Sequence, residues 1–85
     1  MEISMNSMKI GDIAQVIRLN LTGRIRQRLQ DIGLIEGTRI QCTLKSPSGD
    51  PKAFLIRGAV MAIRSEDCEN VRVIIHKEPI TPHTY

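Results

Sequence analysis

The side chains best suited to hold a metal ion lie close together near the carboxyl end of the sequence. Glu66 and Cys68 belong to a short acidic segment, and His76 follows soon after it. Carboxylate, thiolate and imidazole groups are the usual protein ligands of zinc and iron. The same spacing also fits acids that stabilise the start of a short helix, followed by a solvent-facing histidine. We therefore expect no required cofactor and, as the metal alternative, a surface site for Fe(II) or another divalent transition metal.

Catalytic chemistry has no comparable set of residues. The two histidines, His76 and His83, lie at or beyond the last predicted strand, where no neighbouring nucleophile is held within hydrogen-bonding reach. The glycine-rich phosphate-binding patterns and the Gly-x-Ser-x-Gly pattern do not occur. A chain of 85 residues makes one thin core, with little volume left to enclose an active site. The sequence predicts a protein that is not an enzyme.

The charge balance is mildly basic, with a formal net charge of +3. Its densest cluster is Arg24, Arg26 and Arg28. Small barrels that bind single-stranded nucleic acid combine a basic groove with aromatic stacking platforms, and here Phe54 and Tyr85 are the sole aromatic residues. We expect no nucleic-acid partner. Two alternatives stay open. One is a small-barrel nucleic-acid-binding protein. The other is a metal sensor that forms a homo-oligomer and changes its oligomeric state.

The clearest local pattern is an amphipathic helix. Ile25, Leu29 and Ile32 recur at the spacing of one helix face, and Gly33 follows where a helix commonly ends. The opposite, solvent-facing side of this helix is the only basic, exposed and rigid element that the sequence predicts. As candidate partner-binding residues on that side we name Arg24, Gln27, Arg28 and Asp31.

The remaining pattern is one of short strands. Alternating or β-branched segments predict strands at 13–19, 38–45, 53–57, 60–64 and 71–75. A hairpin about Gly58-Ala59 joins two of them, the turn-forming residues Gly49, Asp50 and Pro51 lie in a loop, and a helical turn covers 66–69. This order predicts a mainly β fold with one short helix plus a helical turn, curled into a small β-barrel over residues 9–75. Residues 1–8 are expected to form a flexible lead-in and residues 76–85 a flexible tail.

Three segments together resemble a known family. These are RQRLQDIGLIEGT (26–38), SPSGDPKAFLIRG (46–58) and VMAIRSEDCENVRV (60–73), and they resemble the FeoA family of ferrous iron transport proteins. The positions that match in order and spacing are Leu29, Gly33, Gly37, Gly49, Asp50, Pro51, Gly58 and Arg64. Cys68 departs from the pattern, since a small residue is common there.

The resemblance implies an SH3-like barrel that is cytoplasmic and accessory or regulatory in bacterial ferrous iron uptake. It implies a partner, the membrane transporter FeoB with its cytoplasmic GTP-binding domain, which would place the protein at the inner face of the membrane. It also implies an association with transition metals. The exposed side of the helix is then the first candidate for contact with FeoB, and the Gly49-Asp50-Pro51 loop is the second.

Overall fold

The fold is built almost entirely from short antiparallel strands. The structure, a computed structural model, describes residues 1–76. Within them it places a 3-10 turn at Met5–Ser7 and two α-helices, α1 (Gly23–Asp31) and α2 (Ser65–Cys68). Its strands are β1 (Glu2–Ser4), β2 (Ile13–Leu19), β3 (Arg39–Lys45), β4 (Lys52–Ile56), β5 (Ala59–Ile63) and β6 (Val71–Ile75).

All six strands belong to one sheet, in the order β1-β6-β2-β3-β4-β5. Every neighbouring pair runs antiparallel, and register shifts bend β2 between Val16 and Arg18 and β3 between Cys42 and Leu44. Such bulges increase local twist and let a short sheet curl around its own core. The sheet remains open, with β1 and β5 as its edges. The expected mainly β, barrel-like fold is confirmed.

Alternation along the central strands fills the core. In β3, Ile40 and Cys42 are 1% exposed, and opposite them in β4 Phe54 and Ile56 are fully buried. Leu55, between the two buried residues of β4, faces outward and is only half-buried. Because successive side chains of a strand point to opposite faces, this pattern fixes the register of the whole sheet. Cys42 therefore occupies a core position, and burial raises the pKa of its thiol.

The expectation of a flexible lead-in at residues 1–8 is wrong. Residues 2–4 form an edge strand on β6, with Glu2 opposite Ile74. Met5 is fully buried and Met8 is 2% exposed, so both belong to the core. The Lys52 ammonium, reaching from β4, donates to the backbone carbonyls of Asn6 and Met8. A three-residue strand is too short to show a periodic pattern, and the two methionines resemble alternative start sites.

The hairpin that joins β4 to β5 turns one residue earlier than predicted. Ile56 pairs with Ala59, so the turn residues are Arg57 and Gly58 and not Gly58 and Ala59. Both have positive φ, 50° and 81°. Two-residue turns with this conformation match the right-handed twist of the strands that they join. Glycine adopts it freely, whereas Arg57 does so as the only described non-glycine residue with positive φ.

Helix α1 ends as the sequence predicts. Gly33 has φ +100°, and the amide of Leu34 donates to the carbonyl of Leu29 at 2.9 Å, which closes the last turn. The start of the helix is held differently from a simple cap. Thr22 occupies the cap position without a side-chain hydrogen bond, while Arg26 donates to the carbonyls of Leu19 and Leu21.

The predicted tail extends past the described part of the chain. His76 is the last described residue, and its amide donates to the carbonyl of Ile13 at 2.8 Å, which continues the pairing of β6 with β2. The expectation for residues 77–85, including His83, lies outside the described residues. Among residues 1–76, no helix is both long and apolar enough to span a bilayer.

Candidate functional site

The three candidate metal ligands are not brought together. Glu66 is exposed on α2, whereas Cys68, on the same helix, is fully buried. His76 lies beyond the far end of β6, where its imidazole is 3.3 Å from the side-chain oxygen of Gln15. Across residues 1–76, no three His, Cys, Asp or Glu side chains are placed to share an ion. The grouping expected from sequence fails because strand β6 separates the histidine from the acidic helix.

Cys68 instead packs in the core beneath α2. Its Sγ lies 3.9 Å from the carbonyl oxygen of Ile63. Burial raises the pKa of this thiol to about 12, because a thiolate would lose its hydration there. Lys52 opposes that shift without cancelling it. The thiolate is the form that binds metals and attacks disulfides, so this cysteine is a packing residue at neutral pH.

This placement predicts an unreactive thiol. A disulfide reagent added to the native protein near pH 8 should label Cys68 at least about a hundredfold more slowly than it labels the same chain in denaturant. The Cys42→Ser variant isolates the signal of Cys68 for this measurement. Rapid labelling of the native variant, at the rate of the unfolded chain, would contradict the buried position.

The candidate residues on α1 do share one exposed surface. Arg24, Gln27, Arg28 and Asp31 are all solvent-accessible, and the Gln27 side-chain amide donates to the Asp31 carboxylate at 2.9 Å. Beneath them Leu29 is 5% exposed and anchors the helix in the core. The charged groups are therefore presented by an element whose position is fixed by packing. We call these four residues the α1 face.

A groove runs beside the α1 face, between this helix and the hairpin strand β5. It has a volume of about 440 Å³. Its floor is apolar and includes Ile25, Ile32 and Met61. Its rim is charged and includes Arg28, Arg64 and Glu66. The sequence gives no sign of this groove, because it forms between a helix and a strand that are distant along the chain.

The second candidate, Gly49-Asp50-Pro51, has a clear structural role. The Asp50 carboxylate accepts a hydrogen bond from the amide of Ser65 at 2.9 Å, at the first residue of α2. Ser48 in turn donates to the Asp50 carbonyl at 3.0 Å. An acidic side chain that accepts from the first turn of a helix satisfies an otherwise unpaired donor and favours the helix dipole. The first turn of α2 is therefore capped by a residue from a loop that is distant along the chain.

Substitution of Asp50 tests this role. Asp50→Ala should lower the free energy of unfolding by about 0.5–2 kcal/mol, since the cap of α2 is lost. Asp50→Asn keeps a side-chain oxygen acceptor and should lose less than half as much. Urea denaturation of both variants measures the difference. Equal losses in the two variants would show that the charge, and not the cap, carries the effect.

Comparison with known proteins shows the family to which the chain belongs. The sequence profile of the FeoA domain matches residues 3–75, which is most of the chain and covers every strand described above except Glu2, the first residue of β1. The chain belongs to the FeoA family. This family is associated with ferrous iron transport. The match begins at residue 3, so the residues expected to form a lead-in belong to the FeoA domain from that position onward.

Solved structures of FeoA proteins share the fold. The FeoA-like protein of Clostridium acetobutylicum is 28% identical, with a TM-score of 0.84 over 98% of this chain and 96% of its own. The FeoA protein of Chlorobium tepidum is 27% identical, with a TM-score of 0.83 over 98% of this chain and 80% of its own. No curated protein matches this chain significantly.

A third FeoA structure identifies the type of barrel. The zinc complex of Stenotrophomonas maltophilia FeoA, described as a prokaryotic SH3 domain protein, is 19% identical to this chain. Its TM-score is 0.70, over 87% of this chain and 89% of its own. The SH3-like fold expected from the family resemblance is confirmed.

Proposed function

We propose that this FeoA protein is an accessory factor of ferrous iron uptake that acts by binding the cytoplasmic portion of FeoB. The observation that carries the proposal is the α1 face, a rigid, exposed and mainly basic surface beside the groove between α1 and β5. Family membership supplies the iron-transport context. The protein would then work at the inner face of the membrane, through its partner and without chemistry of its own.

The shape of this surface suits a protein partner. Arg24 and Arg28 lie one helical turn apart on the exposed side of α1, so their charges act on the same region of a docking surface. Arginine side chains around an apolar depression are typical of the residues that dominate binding at interfaces. The floor residues Ile25 and Ile32 are only partly covered within the molecule, so a partner that covers them gains apolar burial as well.

Iron binding by the chain itself is not part of this proposal. Zinc is bound in the S. maltophilia relative, but the expected ligands Glu66, Cys68 and His76 lie apart here. Nucleic-acid binding is likewise left out, because Phe54, the aromatic residue in the described part of the chain, is fully buried and offers no stacking surface. The absence of a nucleic-acid partner remains a prediction.

The first test is binding of the full chain to the cytoplasmic portion of FeoB from the same organism, with and without guanine nucleotide. Arg24→Glu combined with Arg28→Glu should weaken binding at least about tenfold, because both charges then oppose the partner's surface. The matched control is Lys9→Glu with Lys45→Glu. It makes the same change in net charge at exposed positions on another side of the barrel.

Three results separate the outcomes. Loss of binding in the α1 variant alone supports the proposal and the site. Equal loss in both variants would assign the effect to net charge and remove the site. No binding of the unaltered chain in any nucleotide state would remove FeoB's cytoplasmic portion as the partner.

A further inference from the structure

The two edges of the sheet are protected very unequally. Edge strand β1 is three residues long, and its Glu2 forms ion pairs with Arg18 at 3.3 Å and Arg72 at 3.0 Å. The hydrogen bond from Arg72 lowers the pKa of Glu2, so this edge carries a charge at neutral pH. Edge strand β5, of sequence AVMAI, has no charged residue and no proline. Proteins usually guard edge strands with such residues, because an unguarded edge pairs readily with another strand.

The backbone of β5 offers a defined set of unpaired groups. In a hairpin with a two-residue turn, the first pair, Ile56 and Ala59, exchanges hydrogen bonds, and so does every second pair beyond it. Met61 and Ile63 therefore direct their backbone groups to β4. Val60 and Ala62 direct theirs away from the sheet, where the described residues supply no further strand. The free edge thus has a donor and an acceptor at each of these positions.

From this arrangement we propose that β5 is the pairing strand of a symmetric dimer, in which a second copy of this chain adds its own β5 antiparallel to the first. The two-fold axis passes beside Met61. Val60 of one copy then lies opposite Ala62 of the other, and each of these pairs exchanges both of its hydrogen bonds. This interface lies on the β5 side of the groove between α1 and β5, next to the α1 face, and the proposal does not depend on FeoB being the partner.

A second copy fits this edge because the strand complements itself. Val60, 59% exposed, and Ala62 share the outer face of the sheet with Leu55 and Ala53, so pairing continues one apolar row across both molecules. On the inner face, the groove beside Met61 leaves room for Met61 of the second copy.

The charges that flank β5 are also compatible with this register. Arg64 of one copy falls opposite Gly58 of the other, so no like charges are paired. Arg57 falls opposite Ser65, and the acidic residue Glu66 of the second copy is next in the chain. The other edge is a poorer partner, because pairing β5 with β1 is head-to-tail and leaves one free edge at each end of the assembly.

The test is the mass of the full chain in solution, followed by sedimentation across a wide range of concentration. The unaltered protein should reach twice its monomer mass of 9.6 kDa. Val60→Lys with Ala62→Lys places lysines opposite lysines in the dimer and should leave a monomer, as should Val60→Glu with Ala62→Glu. Mixing the two variants opposes lysine with glutamate and should restore the double mass.

Two further variants separate strand pairing from simple stickiness. Ala62→Pro removes an amide hydrogen that faces away from β4, so the monomer should keep its fold while the dimer is lost. Leu44→Lys changes a 63% exposed apolar residue of β3, away from the β5 edge, and should leave the dimer intact. Circular dichroism confirms folding in each case.

Several results would overturn the proposal. They are a monomeric unaltered chain at every concentration, a dimer that survives the lysine pair or Ala62→Pro, and a mixture of the two charged variants that stays monomeric. Loss of the dimer in Leu44→Lys would assign association to the outer apolar surface instead of the β5 edge.

Discussion

Deletion of residues 1–8 should leave a chain that does not fold. The deletion removes the buried side chains of Met5 and Met8 and the whole of β1. Loss of one buried methionine side chain typically costs about 2–5 kcal/mol. A small domain has about 5–15 kcal/mol of stability in total. Two such losses, with the sheet edge removed as well, consume most or all of it.

A milder change measures the same contribution in a folded protein. Met5→Ala should lower the free energy of unfolding by about 2–5 kcal/mol in urea denaturation. Ile10→Ala is the matched control, since Ile10 is 60% exposed, and it should change stability by less than about 0.5 kcal/mol. A folded deletion variant, or a Met5→Ala effect no larger than that of Ile10→Ala, would show that residues 1–8 are a lead-in that does not stabilise the fold.

Phe54→Ala should be the most damaging single substitution in the sheet. Phe54 is the largest fully buried side chain and lies opposite both Cys42 and Met61, at the centre of the curled strands. Truncation of a buried phenylalanine costs about 3–5 kcal/mol, from lost transfer energy and from the cavity left behind. The midpoint of thermal unfolding measured by calorimetry should fall accordingly, or the variant should fail to fold.

The next residue along the chain provides the control. Leu55 faces outward and is half-buried, so Leu55→Ala should cost well under half as much as Phe54→Ala. Phe54→Leu keeps most of the apolar volume and should fall between the two. If Leu55→Ala proved as costly as Phe54→Ala, the assignment of inner and outer faces in β4 would be reversed.

Periodic patterns identified most of the fold in advance. The alternation of Ile40 and Cys42 and the helical spacing of Ile25 and Leu29 each reflect a face that packs against the core, and such faces can be recognised in a sequence. The alternation fails at Leu44, which is 63% exposed beyond the register shift that separates it from Cys42. Predicted and observed strands differ by a residue or so at their ends. The helix ended at Gly33 as expected, because a left-handed residue there has a strong preference for glycine.

The structural features that could not be predicted from the sequence depend mainly on contacts between residues that are distant along the chain. Strand β1 is defined by its pairing with β6, at the opposite end of the chain, and not by any pattern of its own. The cap of α2 is Asp50, from a loop on the other side of the β4–β5 hairpin. The candidate metal ligands were expected to lie close together because Cys68 and His76 are separated by only a short stretch of sequence. An intervening strand carries them apart, and a helix turns the thiol inward.

The pairing of β1 with β6 has a consequence for how the protein is made. Strand β1 leaves the ribosome well before it can find its place in the sheet, because its neighbour there, β6, is synthesised after all the other described strands. Contacts between residues so far apart along the chain slow folding, since a long loop must close first. The barrel therefore forms only once translation has passed Ile75, and until then Met5 and Met8 are exposed to water and to other proteins.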